Sequence, residues 1–460
     1  MNENELSQLV DKQRVYFSAK ETISYQFRVN QLLKLRDAIK KYESDFIAAL
    51  EHDLGKSEFE SYLTEIGYIL YELSHTLKNL KKWMKSKKIR TPLINQPASS
   101  RIHYSPLGVN LIIAPFNYPF MLTFSPLIAA MAAGNTAVIK TSELTPNISK
   151  LIHKLIKDTF TEEYIIHVEG EIHETTLLLK QKFDHVFFTG SPRVGSIVMS
   201  AAAKNLTPVT LELGGKSPCI VHVDANLDIA VNRIVYGKFM NAGQTCIAPD
   251  YIMVHKDIKE DFLERLKNRI IKLYGEDASL SPEFGRIVSE QHLERLLSLI
   301  KKDKVVVGGK WDKITKFLAP TVMRDISKQD DVMQTEIFGP ILPVLDYSDI
   351  DELLMDIKDV SHHPLAAYIF SDSRFIQDKV TLGLQFGGGC INHCLQHIGN
   401  VNLPFGGVGE SGIGSYHGFV GFERFSHKKS IIKVVTWFDL KLLYPPFSKL
   451  KLRLLRMFFK

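Results

Sequence analysis

At 460 residues the chain exceeds what one small core organises, so two or three domains are expected. Its composition is that of a globular enzyme, 45% hydrophobic and 23% charged, and its four cysteines make no disulfide framework, which favours a reducing compartment. The net charge of +6 sits mostly in Lys449, Lys451, Arg453, Arg456 and Lys460; the rest is near neutral, and nucleic-acid binding has no electrostatic support.

The start, Met1-Asn-Glu-Asn-Glu5, has neither a basic n-region nor an apolar h-region, so no signal peptide is expected and the expected localisation is cytoplasmic. Residues 1–90 read as helices, because Phe27, Leu32, Leu33, Leu35, Ile39, Phe46 and Leu50 recur near helical spacing among charged residues. The longest apolar stretch, Phe116 to Gly134, contains Pro119 and Pro126 and fails as a membrane span. From Leu107 short strands and helices alternate. Strands are expected at Val109–Ala114, Ala137–Lys140, Tyr164–Val168, His185–Thr189 and Pro208–Leu211. Helices are expected at Ile148–Phe160, Glu171–Gln181 and Ser191–Lys204. That alternation predicts a doubly wound α/β layer.

A second α/β run begins at Pro218. Its strands are expected at Pro218–Val223, Tyr251–His255, Ile341–Leu345 and Ala366–Phe370. Its helices are expected at Ala225–Met240, Lys256–Leu273, Glu290–Lys301 and Asp349–Ile357, with Gly-rich stretches Gly383–Gly389 and Gly406–Gly414 closing it. No internal repeat is visible.

Two segments carry the chemistry. Glu212 lies in Leu211-Glu-Leu-Gly-Gly-Lys-Ser-Pro218, and Cys246 in Gly243-Gln-Thr-Cys-Ile-Ala-Pro-Asp250. A lone Cys is usually a small buried hydrophobe, as Cys219 in an apolar strand is read. Cys246 differs, because it follows the polar turn Asn241-Ala-Gly-Gln-Thr. A soft nucleophile with a separate base suits covalent attack on a carbonyl, then hydrolysis of the acyl-enzyme. Glu212 would deprotonate the hydrolytic water, and the adjacent glycines permit a backbone that aims it into a cavity. Asn117, in Pro115-Phe-Asn-Tyr-Pro119, is by default a turn residue; as a functional group it would be an oxyanion donor beside the Cys246 backbone N–H.

For a dinucleotide, Gly407-Val-Gly-Glu-Ser-Gly412 matches the glycine pattern literally but follows no clear strand, and is a false positive. Phe188-Thr-Gly-Ser-Pro-Arg-Val-Gly195 follows a strand and opens a helix, so Ser191 and the helix N-terminus could face a pyrophosphate. Lys140 and Glu143 lie at a strand's carboxyl edge, where α/β sheets bind ligands. Cys390, Cys394 and His397 lack the spacing of a metal site, and no metal is expected.

Taken together, the chain from about residue 20 to Pro446 resembles the NAD(P)-dependent aldehyde dehydrogenases, most closely the class 3 and fatty-aldehyde branch. Further motifs that carry the resemblance are Asn402-Leu-Pro-Phe-Gly-Gly-Val-Gly409, Ser415-Tyr-His-Gly418 and Tyr444-Pro-Pro446. The resemblance implies a Rossmann-like NAD(P)-binding domain (1–85 and 106–210) and a catalytic α/β domain (211–390). It also implies a bridging, dimer-forming segment (86–105 and 391–430), followed by a basic tail (431–460). It implies Cys246 as nucleophile, Glu212 as base and Asn117 as oxyanion donor. Lys140 and Glu143 would contact the adenosine ribose, and Gly190, Ser191 and Gly195 the pyrophosphate. Glu336 and Phe338, in Gln334-Thr-Glu-Ile-Phe-Gly-Pro340, would hold the nicotinamide ribose and ring. NAD is the expected cofactor, with NADP also admitted. A small-molecule aldehyde (long-chain, polyene or aromatic) is the expected substrate, and a homodimer the expected assembly.

The alternatives are a CoA-acylating relative, which needs no water-activating base, and a non-catalytic membrane-associated protein. The loop Cys390–Val401 departs from the family where the substrate entrance is shaped. Residues 447–460 read as a basic amphipathic helix with Lys449, Arg453, Arg456 and Lys460 on one face and Phe447, Leu450, Leu454, Met457 and Phe458 on another. It either packs on the body or a partner subunit, or binds the inner face of a membrane peripherally.

Overall fold

The structure, a computed structural model, describes residues 2–459 apart from the Phe458 side chain. Calls on Lys460 and on the Phe458 side chain lie outside the described residues.

Two mostly parallel sheets organise the chain. The first runs Gly412–Ile413, Val209–Glu212, His185–Thr189, Val109–Ile113, Thr136–Lys140, Ile165–Val168, and only the Gly412–Ile413 strand is antiparallel. All of Val109–Ile113, Thr136–Lys140 and His185–Thr189 is buried, the continuous apolar texture of a sheet covered on both faces. Val109–Ile113 is central. The chain goes outward from it on one side and returns on the other, so strand order reverses between it and His185–Thr189. Open α/β sheets bind ligands in the crevice at that reversal.

The second sheet runs Val305–Val307, Thr321–Met323, Ile341–Tyr347, Tyr251–His255, Pro218–Val221, Ala366–Phe370, Gly388–Ile391. Its seventh strand lies in a stretch expected to be only a glycine-rich closure. Gly389 is there because an added Cβ would stand 2.1 Å from the Ala367 carbonyl oxygen of the neighbouring strand. A third, antiparallel sheet joins Lys87–Ile89, Ala98–Pro106 and Ser426–Val434.

The expected helices form, with ends displaced by a few residues. Helix Pro146–Thr159, for example, begins with its proline in the first turn, where no N–H is needed. The stretch rejected as a membrane span folds as helix Met121–Ala133, buried all round and packed by helices Tyr25–Lys41, Gly67–Trp83 and Gly418–Arg424. Its alanines, Ala129, Ala130, Ala132 and Ala133, let those neighbours approach closely. Among the described residues no helix is long and apolar enough to cross a membrane.

The expected domain boundaries at 210/211, 390/391 and 430/431 each fall inside a strand: Val209–Glu212, Gly388–Ile391 and Ser426–Val434.

Candidate active site

Cys246 stands at the end of a turn that L-residues resist. After helix Leu227–Phe239, Asn241, Ala242 and Gly243 have φ of 52°, 51° and 73°. Left-handed backbone costs roughly 1–2 kcal/mol for a non-glycine residue, so the surroundings must hold it. The Asn241 N–H donates to Glu60 Oε1 (2.8 Å), and its side-chain amide donates to the Asn117 carbonyl (2.7 Å). The Gln244 amide donates to the Arg286 carbonyl (3.0 Å), and its oxygen accepts from the Val288 N–H (3.0 Å). At position 243 only glycine fits: an added Cβ would lie 2.3 Å from the Gly339 carbonyl oxygen.

One buried ion pair ties three motifs together. Lys216, four residues after Glu212, pairs with Asp250, four residues after Cys246. Its ammonium also donates to the Val332 and Thr335 carbonyls at 3.0 and 2.9 Å, and Asp250 Oδ1 accepts from the Ile337 N–H at 3.0 Å. The segments carrying Glu212, Cys246 and Glu336 are thereby fixed to each other. Sequence reasoning quoted Lys216 and Asp250 within motifs without giving them this role; two charges flanking apolar strands were the available signal.

Cys246 and Glu212 line one cavity of about 560 Å³, walled by Tyr68, Tyr118, Leu122, Leu395, Ile398, Phe405 and others. That size is within the range of small-molecule sites. Glu212 ends strand Val209–Glu212, one residue beyond its expected end, paired with Thr189 and Gly412. It is 2% exposed, and neither carboxylate oxygen has a hydrogen-bond partner among the described residues. Burial raises its pKa well above the usual carboxylate range, with Arg424 opposing weakly. Burial also pushes the Cys246 thiol up, and the nearby Glu336 and Glu212 carboxylates add to this.

Asn117 does not line that cavity. It is buried, and its amide donates to the Gln244 carbonyl (3.0 Å), two residues before Cys246. One amide hydrogen remains for a ligand. The loop holding Asn117 rests on a second buried pair that sequence reasoning missed. Lys56 Nζ lies 2.5 Å from Glu65 Oε1, 3.2 Å from the Asn117 carbonyl and 4.0 Å from the Tyr118 ring centre. Glu65 Oε2 accepts from the N–H groups of Phe120 and Met121, satisfying the start of helix Met121–Ala133. Glu65 reaches them from a single π-helical turn, Tyr62–Ile66, that no sequence periodicity announces. Breaking such a buried pair from one side typically costs about 3–5 kcal/mol.

Lys140, Glu143, Gly190, Ser191 and Gly195 lie at the carboxyl edge of the first sheet, whereas Glu336 and Phe338 precede strand Ile341–Tyr347 of the second. Lys140 is buried, and its ammonium donates to the Thr141 carbonyl at 2.5 Å, leaving two hydrogens; burial lowers its pKa, with Glu143 opposing. Glu143 is exposed in the turn before helix Pro146–Thr159. At the strand-order reversal Thr189, which also lines the Cys246 cavity, has a buried hydroxyl without a partner among the described residues. Free donors at these strand ends fit a dinucleotide's ribose and phosphate oxygens. The Ser191 hydroxyl caps helix Pro192–Ala203 by accepting from the Val194 N–H (3.4 Å). Gly195 serves packing as well, since a Cβ there would stand 2.8 Å from Leu213. Gly190 donates its N–H to the Glu212 carbonyl. The Glu336 carboxylate folds over Gly214, where an added Cβ would meet it at 2.0 Å, and burial followed by Asp250 raises its pKa to about 8. Phe338, at φ 49°, turns its ring edge-on to Phe116 at 5.7 Å.

Cys390 Sγ lies 3.5 Å from His397 Nδ1, and Cys394 packs over Gly237. Among the described residues no three metal-ligating side chains are gathered.

A strained cysteine turn and a buried carboxyl in one cavity, on two fused α/β sheets, define an enzyme site, and comparison identifies the class. The aldehyde dehydrogenase family model matches residues 1–431, and the chain belongs to that family. It is 48% identical over 449 residues to the 4,4'-diaponeurosporen-aldehyde dehydrogenase of Staphylococcus aureus, covering 97% of each chain. It is 42% identical over 445 residues to the dimeric NADP-preferring aldehyde dehydrogenase of Canis lupus familiaris, covering 96% of this chain and 98% of that one. A solved structure of the substrate-bound state of Staphylococcus aureus AldH superposes with a TM-score of 0.97 at 46% identity, covering both chains fully. The protein is an NAD(P)-dependent aldehyde dehydrogenase.

Proposed function

We propose that the chain oxidises long-chain, polyene or aromatic aldehydes to carboxylic acids, with Cys246 as nucleophile, Glu212 as general base and Asn117 as oxyanion donor. The observation that carries this reading is a carboxyl without partners sharing an apolar cavity with the cysteine. Cys246 Sγ, its proton released to solvent, bonds to the carbonyl carbon as the carbonyl π bond opens. The resulting oxyanion accepts from the Cys246 backbone N–H and the remaining Asn117 amide hydrogen, each such donor being worth roughly 10²–10³ in rate. When bound, the nicotinamide would supply the hydride acceptor; loss of hydride from the thiohemiacetal carbon leaves a thioester on Cys246. Glu212, once ionised, takes a proton from water as it attacks that thioester; the carbon–sulfur bond breaks and the acid departs. Lys140 and Glu143 would hold the adenosine ribose and Glu336 the second ribose, with Phe338 against the nicotinamide. Gly190, Ser191 and the first turn of helix Pro192–Ala203 would face the pyrophosphate.

Two further features belong to this reading. Strand Ser426–Val434 is an edge strand with Ile431, Ile432 and Val434 each about half exposed, the kind of edge a second copy would cover. Sedimentation at twice the mass of the chain is expected; a monomer at micromolar concentration would exclude the homodimer. Helix Lys449–Phe458 carries exposed Leu450, Leu452, Leu454 and Met457 beside Lys451, Arg453 and Arg456, which suits a peripheral, anionic membrane face.

The test follows NADH or NADPH during oxidation of aldehydes of increasing chain length, with the full chain and with residues 447–460 removed. Rates that rise with chain length, and loss of the full chain's sedimentation with anionic vesicles on truncation, are expected. Activity confined to short aldehydes, or vesicle binding unchanged by truncation, removes the lipid-side substrate. Turnover only with added CoA would move the chain to the acylating alternative.

A further inference from the structure

The cavity has a charged feature that the chemistry at Cys246 does not use. Helix Leu227–Phe239 turns Asn232, Arg233 and Tyr236 toward it, at positions i, i+1 and i+4. Tyr236 and Leu63 are 42% and 45% exposed, which marks this end as the mouth, whereas Glu212 and Leu122 are buried. Apart from histidine, Arg233 is the one cationic side chain among the cavity's described lining residues. Its Nη1 donates to the Asn392 carbonyl in the loop that departs from the family pattern. That is its one hydrogen bond among the described residues, and no carboxylate there pairs with it. The guanidinium therefore keeps further donors in a planar fork, the geometry that binds a carboxylate through two hydrogen bonds.

The cavity that holds both Arg233 and Cys246 is lined in large part by apolar or aromatic side chains, among them Tyr118, Met121, Leu122, Met240 and Leu395. Arg233 lies seven residues, or about 10 Å of helix, before Met240, where the chain leaves the helix for the cysteine turn. A plain alkyl aldehyde fills the apolar part but offers the guanidinium no acceptor, so its remaining donors go unused by such a substrate.

We propose that Arg233 is a specificity-determining residue that selects aldehydes carrying a carboxylate at the end opposite the aldehyde, separated from it by an apolar spacer. The inference rests on the reading of Cys246 as the reacting end of the cavity.

The experiment compares kcat/KM for ω-carboxy aldehydes with that for n-alkanals of equal chain length. The wild-type enzyme is expected to favour the ω-carboxy compound at the best length by about 10–100-fold, the range of a hydrogen bond to a charged group, chiefly through KM. Arg233→Gln is expected to collapse that ratio toward one, Arg233→Lys to restore part of it, and added salt to erode it. A wild-type ratio near one overturns the proposal. So does a ratio unchanged in Arg233→Gln, which would make Arg233 only a tether for Asn392. Alkanal oxidation persisting in either case leaves the assigned chemistry standing; loss of oxidation of both substrates by the wild-type enzyme would sink that reading instead.

Discussion

Cys246→Ala is expected to lower NAD(P)H formation from any aldehyde by about 10⁴-fold or more, the scale seen when a covalent nucleophile is deleted. Dinucleotide binding should persist, because Lys140, Glu143 and the Gly190–Gly195 turn belong to the other sheet. Of the other three cysteines, Cys394 alone lines the same cavity, and burial pushes its thiol well above the usual range. Cys219 is fully buried in strand Pro218–Val221, Cys394 is buried over Gly237, and Cys390 faces His397. Measuring cofactor binding by calorimetry beside the kinetics separates lost chemistry from lost folding. A variant that binds cofactor and still oxidises aldehyde at more than a small fraction of the normal rate would remove Cys246 from its role.

Glu212→Gln is expected to separate the two halves of the reaction. The first turnover should release about one equivalent of NAD(P)H per site, and the steady state should then fall by roughly 10²–10⁴-fold as the thioester waits for water. The amide is nearly isosteric, and Glu212 has no hydrogen-bond partner to lose, so the fold should be untouched. The pH dependence follows from the direction of the shift. Burial raises the Glu212 pKa, so the carboxyl is neutral and inactive as a base below that value and becomes a base above it. Steady turnover of the wild-type enzyme should accordingly climb toward alkaline pH, and the glutamine variant should lose that climb. Normal steady turnover in the variant would give the water-activating role to another group, with Glu336 the nearest candidate, since its charge also bears on Cys246.

Much of the fold was legible because its signals are local. Strands such as His185–Thr189, Tyr251–His255 and Ala366–Phe370 are short apolar runs with clear punctuation, and both ends of each agree with the structure. Strand Gly388–Ile391 was invisible, because glycines carry no period-2 pattern and are there for close backbone approach to Ala367. Helix Met121–Ala133 was masked for a related reason: a helix buried on every side has no polar face to reveal its period.

The candidate site divides in the same way. Glu212 and Cys246 were readable because each sits in a motif whose residue types imply chemistry by themselves. The sequence alone thus determined the class of chemistry and the alternating architecture, and it nominated the two side chains proposed to react and the edge proposed to hold the cofactor. Only the tertiary structure decided how those parts meet. Glu212 and Cys246 lie 34 residues apart and share a cavity because Lys216 and Asp250 pair across that gap. Asn117 is held by Gln244 and by Lys56 with Glu65, and Arg233 stands alone at the cavity mouth. Whether a charge has a partner depends on groups brought together from distant segments. Local composition records a charge's presence but carries no information about its partner, its burial or the dielectric around it.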